Sequence, residues 1–469
     1  MFILPLIILI PFIAGLATFL FDKSHSHVIS IISSAAVLIL TIAAVYLANA
    51  YGLGSVNFSY SYIPALNLSF QLQFSQISLI LTVMTAIVFF AASLVSNYFI
   101  RDSRLYNLIF LIAEGASLGV FLSSNLFLLY VFWEISEVMM FFIIFIFGGY
   151  GRRYAAMKFI IYSLLSSFLL LIAIILLYVS VIPHTFDIGT IASLASSMPA
   201  YTQLAIMSLM LVAFMIKMPI FPFHTWLPDA HTEAPTTGSM ILAGVLLKFG
   251  GYGLLLMFML VPISHSYMVY MAIIFGFSAV YAAFVTFRQT NLKRLIAYTS
   301  ITDMGIVAVG VAASSIIGTS GALYGMLSHA IAISVLFLIA GTLDEVYGTL
   351  EIERIKGVVA RYPALTYIFI AGVFALVGLP LTSGFIGDLL IFIGSFHTFG
   401  MIGIVPLASI FAIGAALFWT IERSFYNESR PTEPYNVLGS SVIMCGAFLI
   451  ASTIVLGVLP FILANVSGL

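Results

Sequence analysis

The chain of 469 residues is 62% hydrophobic and 7% charged, and its mean hydropathy is +1.20. Soluble domains carry about 25% charged residues, so this composition excludes an ordinary soluble enzyme and indicates a multi-pass membrane protein. A net charge of −1 without a basic block gives nucleic acid nothing to bind, and a single cysteine excludes a disulfide framework and any cysteine-built metal or iron-sulfur site on this chain.

Apolar windows of about 20 residues predict about fourteen membrane spans. The first 21 residues are apolar and uncharged, with no basic region or small-residue cleavage site, so they predict a retained helix and not a signal peptide. The predicted fold class is therefore an all-α integral membrane protein. The predicted spans cover residues 2–21, 28–50, 75–98, 105–123, 125–147, 159–182, 203–222, 234–260, 266–287, 295–315, 322–343, 363–397, 402–421 and 436–463.

The basic residues test this topology independently of hydropathy. Of the 16 lysines and arginines, all but Lys217 and Lys248 fall in or beside the segments that follow odd-numbered spans. The positive-inside rule then predicts a cell inner (cytoplasmic) membrane protein with cytoplasmic basic loops and both termini outside. These basic residues are Lys23, Arg101, Arg104, Arg152, Arg153, Lys158, Arg288, Lys293, Arg294, Arg354, Lys356, Arg361, Arg423 and Arg430.

Several titratable residues fall inside predicted spans. A charge at mid-bilayer costs roughly 2.5 to 3.5 kcal/mol, so such groups normally face the bundle interior or a wet cavity. They either form ion pairs that only hold helices together or act as stepping sites for protons, and their spread over several spans favours the second interpretation. The residues are Glu114, Glu134, Glu137, Lys217, Lys248, Asp303, His329 and Asp388.

One lysine stands directly before a predicted helix break, in the stretch "AFMIKMPIFPFHTWLPDAHTEAP". Pro219 lacks the N–H that would bond the carbonyl of Met215, and Pro222 removes a second donor. We therefore expect the helix to end just after Lys217 and to leave free carbonyls. Irregular backbone at this depth survives only where it lines protein or water.

A second break is predicted in "ALVGLPLTSGFIGDLLIF", where Pro380 and three glycines precede Asp388. Pro380 lies 161 residues after Pro219, and the same offset lays spans 4 to 8 over spans 9 to 13. Two inverted five-helix repeats, each with a broken helix, are the transporter arrangement that this predicts, although both breaks could also be simple kinks. The predicted divisions are an N-terminal three-helix segment, two five-helix repeats and a C-terminal helix, at residues 1–104, 105–265, 266–425 and 426–469.

Four stretches carry a family resemblance: "LLYVFWEISEVMMFFI", "KMPIFPFHTWLPDAHTEAPTTGSMILAGVLLKFGGYGLL", "NLKRLIAYTSITDMG" and "SHAIAISVLFLIAG". Together they resemble the antiporter-like proton-pumping subunits of respiratory complex I, and the M-type subunits in particular. The resemblance covers spans 4 to 13, and the long stretch around "HTWLPDAH" is its most specific part.

The resemblance implies roles for five residues. Glu134 matches the glutamate of the family's fifth helix, and Lys217 matches the lysine of the broken seventh helix that pairs with it. Lys248 matches the central relay lysine, and His329 matches the histidine of the eleventh helix. Asp388 stands where M-type subunits have a glutamate, so the carboxylate is kept.

Other residues are candidate relay groups with less defined roles. Asp303 departs from the family, which usually reads "SVSHMG" where this chain reads "SITDMG". Glu114 and Glu137 have no clear counterpart, and His224 lies within the "HTWLPDAH" motif.

The expected partners follow from the same resemblance. They are the lipid bilayer, protons, and other membrane subunits of a complex I-type assembly, including antiporter-like neighbours. No cofactor-binding or metal site is expected on this chain, while flavin and iron-sulfur clusters are expected on partner subunits and quinone at a partner interface.

Alternative functions remain open from the sequence. A subunit of a multisubunit sodium/proton antiporter or of a membrane-bound hydrogenase would use the same fold and the same buried charges. A non-transporting membrane scaffold is a different class, which we would expect to lack these charges. A small-molecule transporter is less favoured, because nothing in the sequence suggests an organic-substrate pocket.

Overall fold

The computed structural model describes residues 2–53, 56–63, 68–101, 103–427 and 439–460. The described chain begins with three long helices and a hairpin between the second and third. These elements are α1 (Ile3–Ala17), α2 (Ser26–Tyr51), β1 (Asn57–Ile63), β2 (Leu68–Gln73) and α3 (Gln76–Phe99). Arg430, counted above among the basic residues, lies outside the described residues.

The hairpin is the one departure from an all-helical chain in the described residues. Its strands run antiparallel, with Asn57 opposite Gln73 and Tyr60 opposite Phe70. The letters "NFSYSYI" and "LSFQLQ" alternate between polar and apolar side chains, which is the period of a strand with two different faces. The predicted all-α fold class is confirmed by the helices of the described chain, and this hairpin is a local exception to it.

Eight helices follow, and a π-helical turn at Leu242–Leu246 joins the last two of them. The helices are α4 (Arg104–Leu122), α5 (Leu126–Phe147), α6 (Arg152–Ser180), α7 (Ile188–Leu194), α8 (Ala200–Lys217), α9 (Trp226–Glu233), α10 (Thr236–Ile241) and α11 (Leu247–Leu260).

The remaining helices complete the described chain, with a further π-helical turn at Ile421–Tyr426. They are α12 (His265–Thr286), α13 (Leu292–Ala312), α14 (Ile316–Tyr347), α15 (Val358–Arg361), α16 (Pro363–Leu376), α17 (Ser383–Phe399), α18 (Met401–Ile404), α19 (Ala408–Thr420) and α20 (Ser440–Val458).

Twelve helical segments of the described chain are long and apolar enough to cross a membrane. The prediction of a helical multi-pass membrane protein is confirmed, whereas the count of fourteen stays a prediction. The difference lies in the first and twelfth predicted spans. Helix α1 has 15 residues, and the twelfth span is divided into α16 with 14 residues and α17 with 17.

Helix α14 forms the centre of the second half of the chain. It packs against α13, α16 and α17. Its crossing with α17 depends on glycine, because a Cβ atom on Gly387 would lie only 2.7 Å from the backbone nitrogen of Gly325. Small residues let membrane helices approach this closely. The close crossing places Asp388 beside the turn of α14 that carries His329.

Candidate functional site

The first break lies where the prolines predict it, since α8 ends at Lys217. Its carbonyls, however, have partners. The N–H of Ile220 donates to the carbonyl of Met215 at 2.9 Å, and the indole Nε1 of Trp226 donates to that of Ile216 at 3.0 Å. The expectation of a free Met215 carbonyl is wrong, because the turn bends back far enough for the residue after Pro219 to supply the missing donor.

Lys217 forms a buried ion pair with Glu137. Its Nζ atom lies 2.5 Å from Glu137 Oε1, and the two side chains are 1% and 2% exposed. The rings of Phe159 and Trp133 flank the ammonium group, with centroids 5.3 and 5.9 Å from it. Aromatic faces stabilise a cation that has lost its water, so this pocket suits a charged lysine.

The pairing of Lys217 with Glu134, which the family resemblance implies, is not the one that the structure forms. Trp133, Glu137 and Met140 form the buried stripe of α5, at the spacing of one helix face. Glu134 lies off this stripe and is partly exposed, and its Oε1 has no hydrogen-bond partner among the described residues. The observed pairing differs from the expected one because the rotation of α5 turns Glu137, and not Glu134, toward Lys217.

Lys248 lies at the centre of a second cluster and is fully buried. It stands two residues after the π-helical turn of Leu242–Leu246, and its Nζ donates to the carbonyl of Ala243 at 2.6 Å. The same atom lies 2.7 Å from Nδ1 of His329. π-Helical turns often mark functional sites, and this one presents a carbonyl to the lysine.

The cluster continues from His329 to two carboxylates. Nε2 of His329 lies 3.9 Å from Oδ2 of Asp303. This separation is too long for a direct hydrogen bond, so proton transfer between the two groups requires a small movement or an intervening water. Asp303, His329 and Asp388 line one small cavity together with Ser328. The structure therefore brings Asp303, which departs from the family pattern, into the same group as the residues that match it.

The second break separates α16 from α17 and adjoins Asp388. Helix α16 ends at Leu376, and the N–H of Leu379 donates to the carbonyl of Phe374 at 2.9 Å. Both breaks thus close with a donor five residues after the acceptor. Pro380 lies between the two helices, where it interrupts neither of them.

We expect Gly378→Ala to impair the second half of the site. Gly378 has φ +69°, and a Cβ atom there would collide with Oδ2 of Asp388. The substitution therefore adds both backbone strain and displacement of the carboxylate. Proton pumping by vesicles that contain the assembled complex should fall. Gly348→Ala is the matched control, since its φ is +66° and nothing lies within 4 Å of the added atom. Equal pumping by the two variants would contradict this prediction.

Two further candidate relay residues lie away from these clusters. Glu114, on α4, is fully buried and accepts a hydrogen bond of 2.7 Å from Oγ of Ser34 on α2. His224 lies on the turn after α8, together with Pro222, and its ring is 5.4 Å from that of Tyr281. Its Nδ1 has no hydrogen-bond partner in the part of the chain that the structure describes.

Sequence reasoning missed two further buried groups, His231 and Lys293. His231 is fully buried and stacks on Phe337 at 4.5 Å, and neither ring nitrogen has a partner among the described residues. Lys293, expected in a cytoplasmic loop, is 5% exposed, and its Nζ donates to the carbonyl of Ala234 at 3.1 Å. His231 is the second histidine of the "HTWLPDAH" motif, and that motif was the sequence signal that could have identified it.

No group of three or more His, Cys, Asp or Glu side chains is arranged to hold a metal ion within the described residues. The clusters instead alternate acids and bases, which suits the binding and release of protons.

Comparison with known proteins gives consistent results. Residues 123–413 match the family described as "NADH:quinone oxidoreductase/Mrp antiporter, TM". The chain is 37% identical over 407 residues to NADH-quinone oxidoreductase subunit M of Rickettsia bellii (strain RML369-C), covering 84% of this chain and 81% of the relative.

Two solved structures share the fold. A chain in respiratory complex I from Thermus thermophilus with bound NADH superimposes with a TM-score of 0.92 at 24% identity, covering 99% of this chain and 97% of that one. A chain in the Mrp complex from Dietzia sp. DQ12-45-1b gives a TM-score of 0.87 at 18% identity, covering 99% and 96%. At these identities the likeness shows the fold alone.

Proposed function

Since the chain belongs to the NADH:quinone oxidoreductase/Mrp antiporter family, we propose that it is a proton-translocating membrane subunit of a complex I-type, redox-driven pump. One observation supports this most directly. The titratable groups gather in two clusters, the pair of Lys217 with Glu137 and the cavity group of Lys248, His329, Asp303 and Asp388, where direct contacts or one intervening water can pass a proton.

The proposed path crosses the protein from one half to the other. A proton enters from the cytoplasmic side of the first five-helix repeat and is taken up by Lys217 or Lys248. It then passes along the middle of the membrane by way of His329 and Asp303, with water between them. It leaves through the second repeat at Asp388. Each step moves only a proton between an acid and a base.

The ion pair of Lys217 with Glu137 is the proposed gate. While the pair is closed, the carboxylate stabilises the protonated lysine. When the pair opens, that stabilisation is lost and the lysine releases its proton. At an effective dielectric constant of about 20, two unit charges about 4 Å apart interact by on the order of 4 kcal/mol, which is enough to drive the transfer.

The energy for opening the gate would come from other subunits. In the proposed assembly this chain is a subunit of an enzyme that oxidises NADH or a related donor and reduces quinone. Flavin and iron-sulfur clusters would be bound by partner subunits, and quinone at a partner interface. The chain would lie in the cytoplasmic membrane beside antiporter-like neighbours, with both termini outside.

A multisubunit sodium/proton antiporter is the second candidate, because the family and the fold include the Mrp complex. The assignment to a complex I-type pump rests on the relative from Rickettsia bellii, which is named a NADH-quinone oxidoreductase subunit and spans most of this chain. A non-transporting scaffold is disfavoured by the retained Lys217 and Lys248, both buried.

The test is proton pumping by the intact complex in vesicles during quinone reduction, in sodium-free buffer. With Lys217→Ala we expect an assembled complex that pumps several-fold fewer protons per quinone reduced. Lys158→Ala is the control, because Lys158 pairs with Asp229 at the partly exposed end of α6. Normal pumping by Lys217→Ala would refute the proposed function, and wild-type pumping that requires sodium would favour the antiporter.

A further inference from the structure

Helix α2 carries a buried polar stripe that the two clusters do not use. Its members recur at the spacing of one helix face and turn toward α4 and the neighbouring helices. Each is at most 3% exposed. The residues are Ser26, Ser30, Ser33, Ser34 and Thr41.

Two hydrogen bonds join this stripe to α4. At the end where both helices begin, Nδ2 of Asn107 donates to Oγ of Ser26 at 3.0 Å. Farther along, Oγ of Ser34 donates to Oε2 of Glu114 at 2.7 Å. Glu114 stands ten residues after Arg104, the first residue of α4, which at the helical rise places it about 15 Å into the membrane.

Several atoms between and beside these bonds have no partner. Ser30 Oγ, Ser33 Oγ, Asn107 Oδ1 and Glu114 Oε1 are buried without a hydrogen bond to any described residue. Buried polar atoms almost always have a partner, from the protein or from ordered water. Four such atoms on these two helices therefore indicate water at the interface of α2 and α4, since the two direct hydrogen bonds leave all four atoms unsatisfied.

The polar groups continue from Glu114 toward the gate. Ser117 lies one turn beyond Glu114 on α4, and its Oγ is 3.5 Å from Oγ of Ser136 on α5. Ser136 directly precedes Glu137, the carboxylate paired with Lys217. Hydroxyl groups can both donate and accept, so they can order water between two carboxylates.

We propose that the interface of α2 and α4 is a proton-uptake branch, in which water and the serine hydroxyls conduct protons to Glu114 and onward to Glu137. The branch begins at Ser26 and Asn107, on the side of the basic residues. It joins the predicted N-terminal three-helix segment, which contains α2, to the first predicted five-helix repeat, which contains α4 and α5. It rests on the proposed function, because it supplies the gate of that pump.

Glu114→Gln tests the branch, because glutamine keeps the size and accepts the hydrogen bond of Ser34 but does not exchange protons. We expect the assembled complex to pump several-fold fewer protons per quinone reduced, and Glu114→Asp, which keeps the carboxylate, to restore most of the pumping. Lys217→Ala in the same assay separates the two proposals. Normal pumping by Glu114→Gln beside a defective Lys217→Ala overturns the branch alone, whereas normal pumping by both overturns the proposed function.

Water in the interface can be tested directly by thiol labelling. Ser30→Cys, in a Cys445→Ala background, should react with a small methanethiosulfonate reagent in the assembled complex, and the adduct should lower pumping. Val37→Cys is the control, since Val37 is fully buried on the same stripe and has no polar atom. A Ser30→Cys variant as unreactive as Val37→Cys would overturn the branch, even if Glu114→Gln failed to assemble.

Discussion

Glu137→Gln is expected to abolish proton pumping, whereas Glu134→Gln should retain most of it. Glu137 is the carboxylate within 2.5 Å of Lys217 Nζ, and both groups are buried. Removing one partner of a buried pair leaves the other charge uncompensated, which costs about 3 to 5 kcal/mol. Lys217 would then lose its proton or its position. Glu134 is partly exposed and takes no part in this pair.

The double variant Glu137→Gln with Lys217→Gln controls for misassembly. Removing both charges leaves two neutral amides, so the double variant should assemble better than Glu137→Gln alone and still fail to pump. Pumping and the amount of assembled complex would be measured in the same vesicles. If Glu134→Gln loses pumping and Glu137→Gln does not, the gate carboxylate is Glu134, and the pair seen in the structure is structural.

The choice between these two glutamates shows a limit of the sequence. Residues three apart on a helix share one face, so spacing alone leaves both as partners for Lys217. The rotation of α5 decides between them, and that rotation depends on packing of Trp133 and Met140 in the bundle interior. The family motif around "FWE" pointed to Glu134, and only the three-dimensional packing reveals the partner.

The helix breaks were more predictable than their chemistry. Proline removes a backbone donor wherever it stands, so the end of α8 at Lys217 followed from the letters alone. The hydrogen-bond partner of the Met215 carbonyl could not be predicted in the same way. Ile220 reaches Met215 because of the path of the turn, which no local pattern specifies. The hairpin of β1 and β2 was not predicted for a different reason, because its strands are far shorter than the apolar windows of about 20 residues that define membrane spans.

The cavity group could be predicted as a set of residues but not as an arrangement. Lys248, Asp303, His329 and Asp388 lie on four different helices, α11, α13, α14 and α17. Their encounter depends on the close crossing of α14 and α17 at Gly325 and Gly387. A sequence shows that such glycines are present, but the helix that each one faces is a property of the fold.

Replacement of Lys248 with methionine or with arginine should eliminate proton pumping through this chain, for a different chemical reason in each variant. Lys248→Met fills similar space but donates no hydrogen bond, so the carbonyl of Ala243 and Nδ1 of His329 lose their partner, at about 1 to 3 kcal/mol for each unsatisfied group. Lys248→Arg keeps the charge and the donors, but an arginine side chain is not deprotonated in proteins. A relay that must release its proton fails in both variants.

Comparison of these two variants separates a relay from a structural donor. If Lys248 only satisfies Ala243 and His329, the arginine variant should pump nearly as well as wild type while the methionine variant fails. If Lys248 carries protons, both variants should reduce quinone in the assembled complex and pump none through this chain. The measurement is the ratio of protons pumped to quinone reduced, beside the amount of assembled complex. Near-normal pumping by Lys248→Arg would exclude proton release from Lys248 and would require a path from Lys217 to His329 that bypasses it.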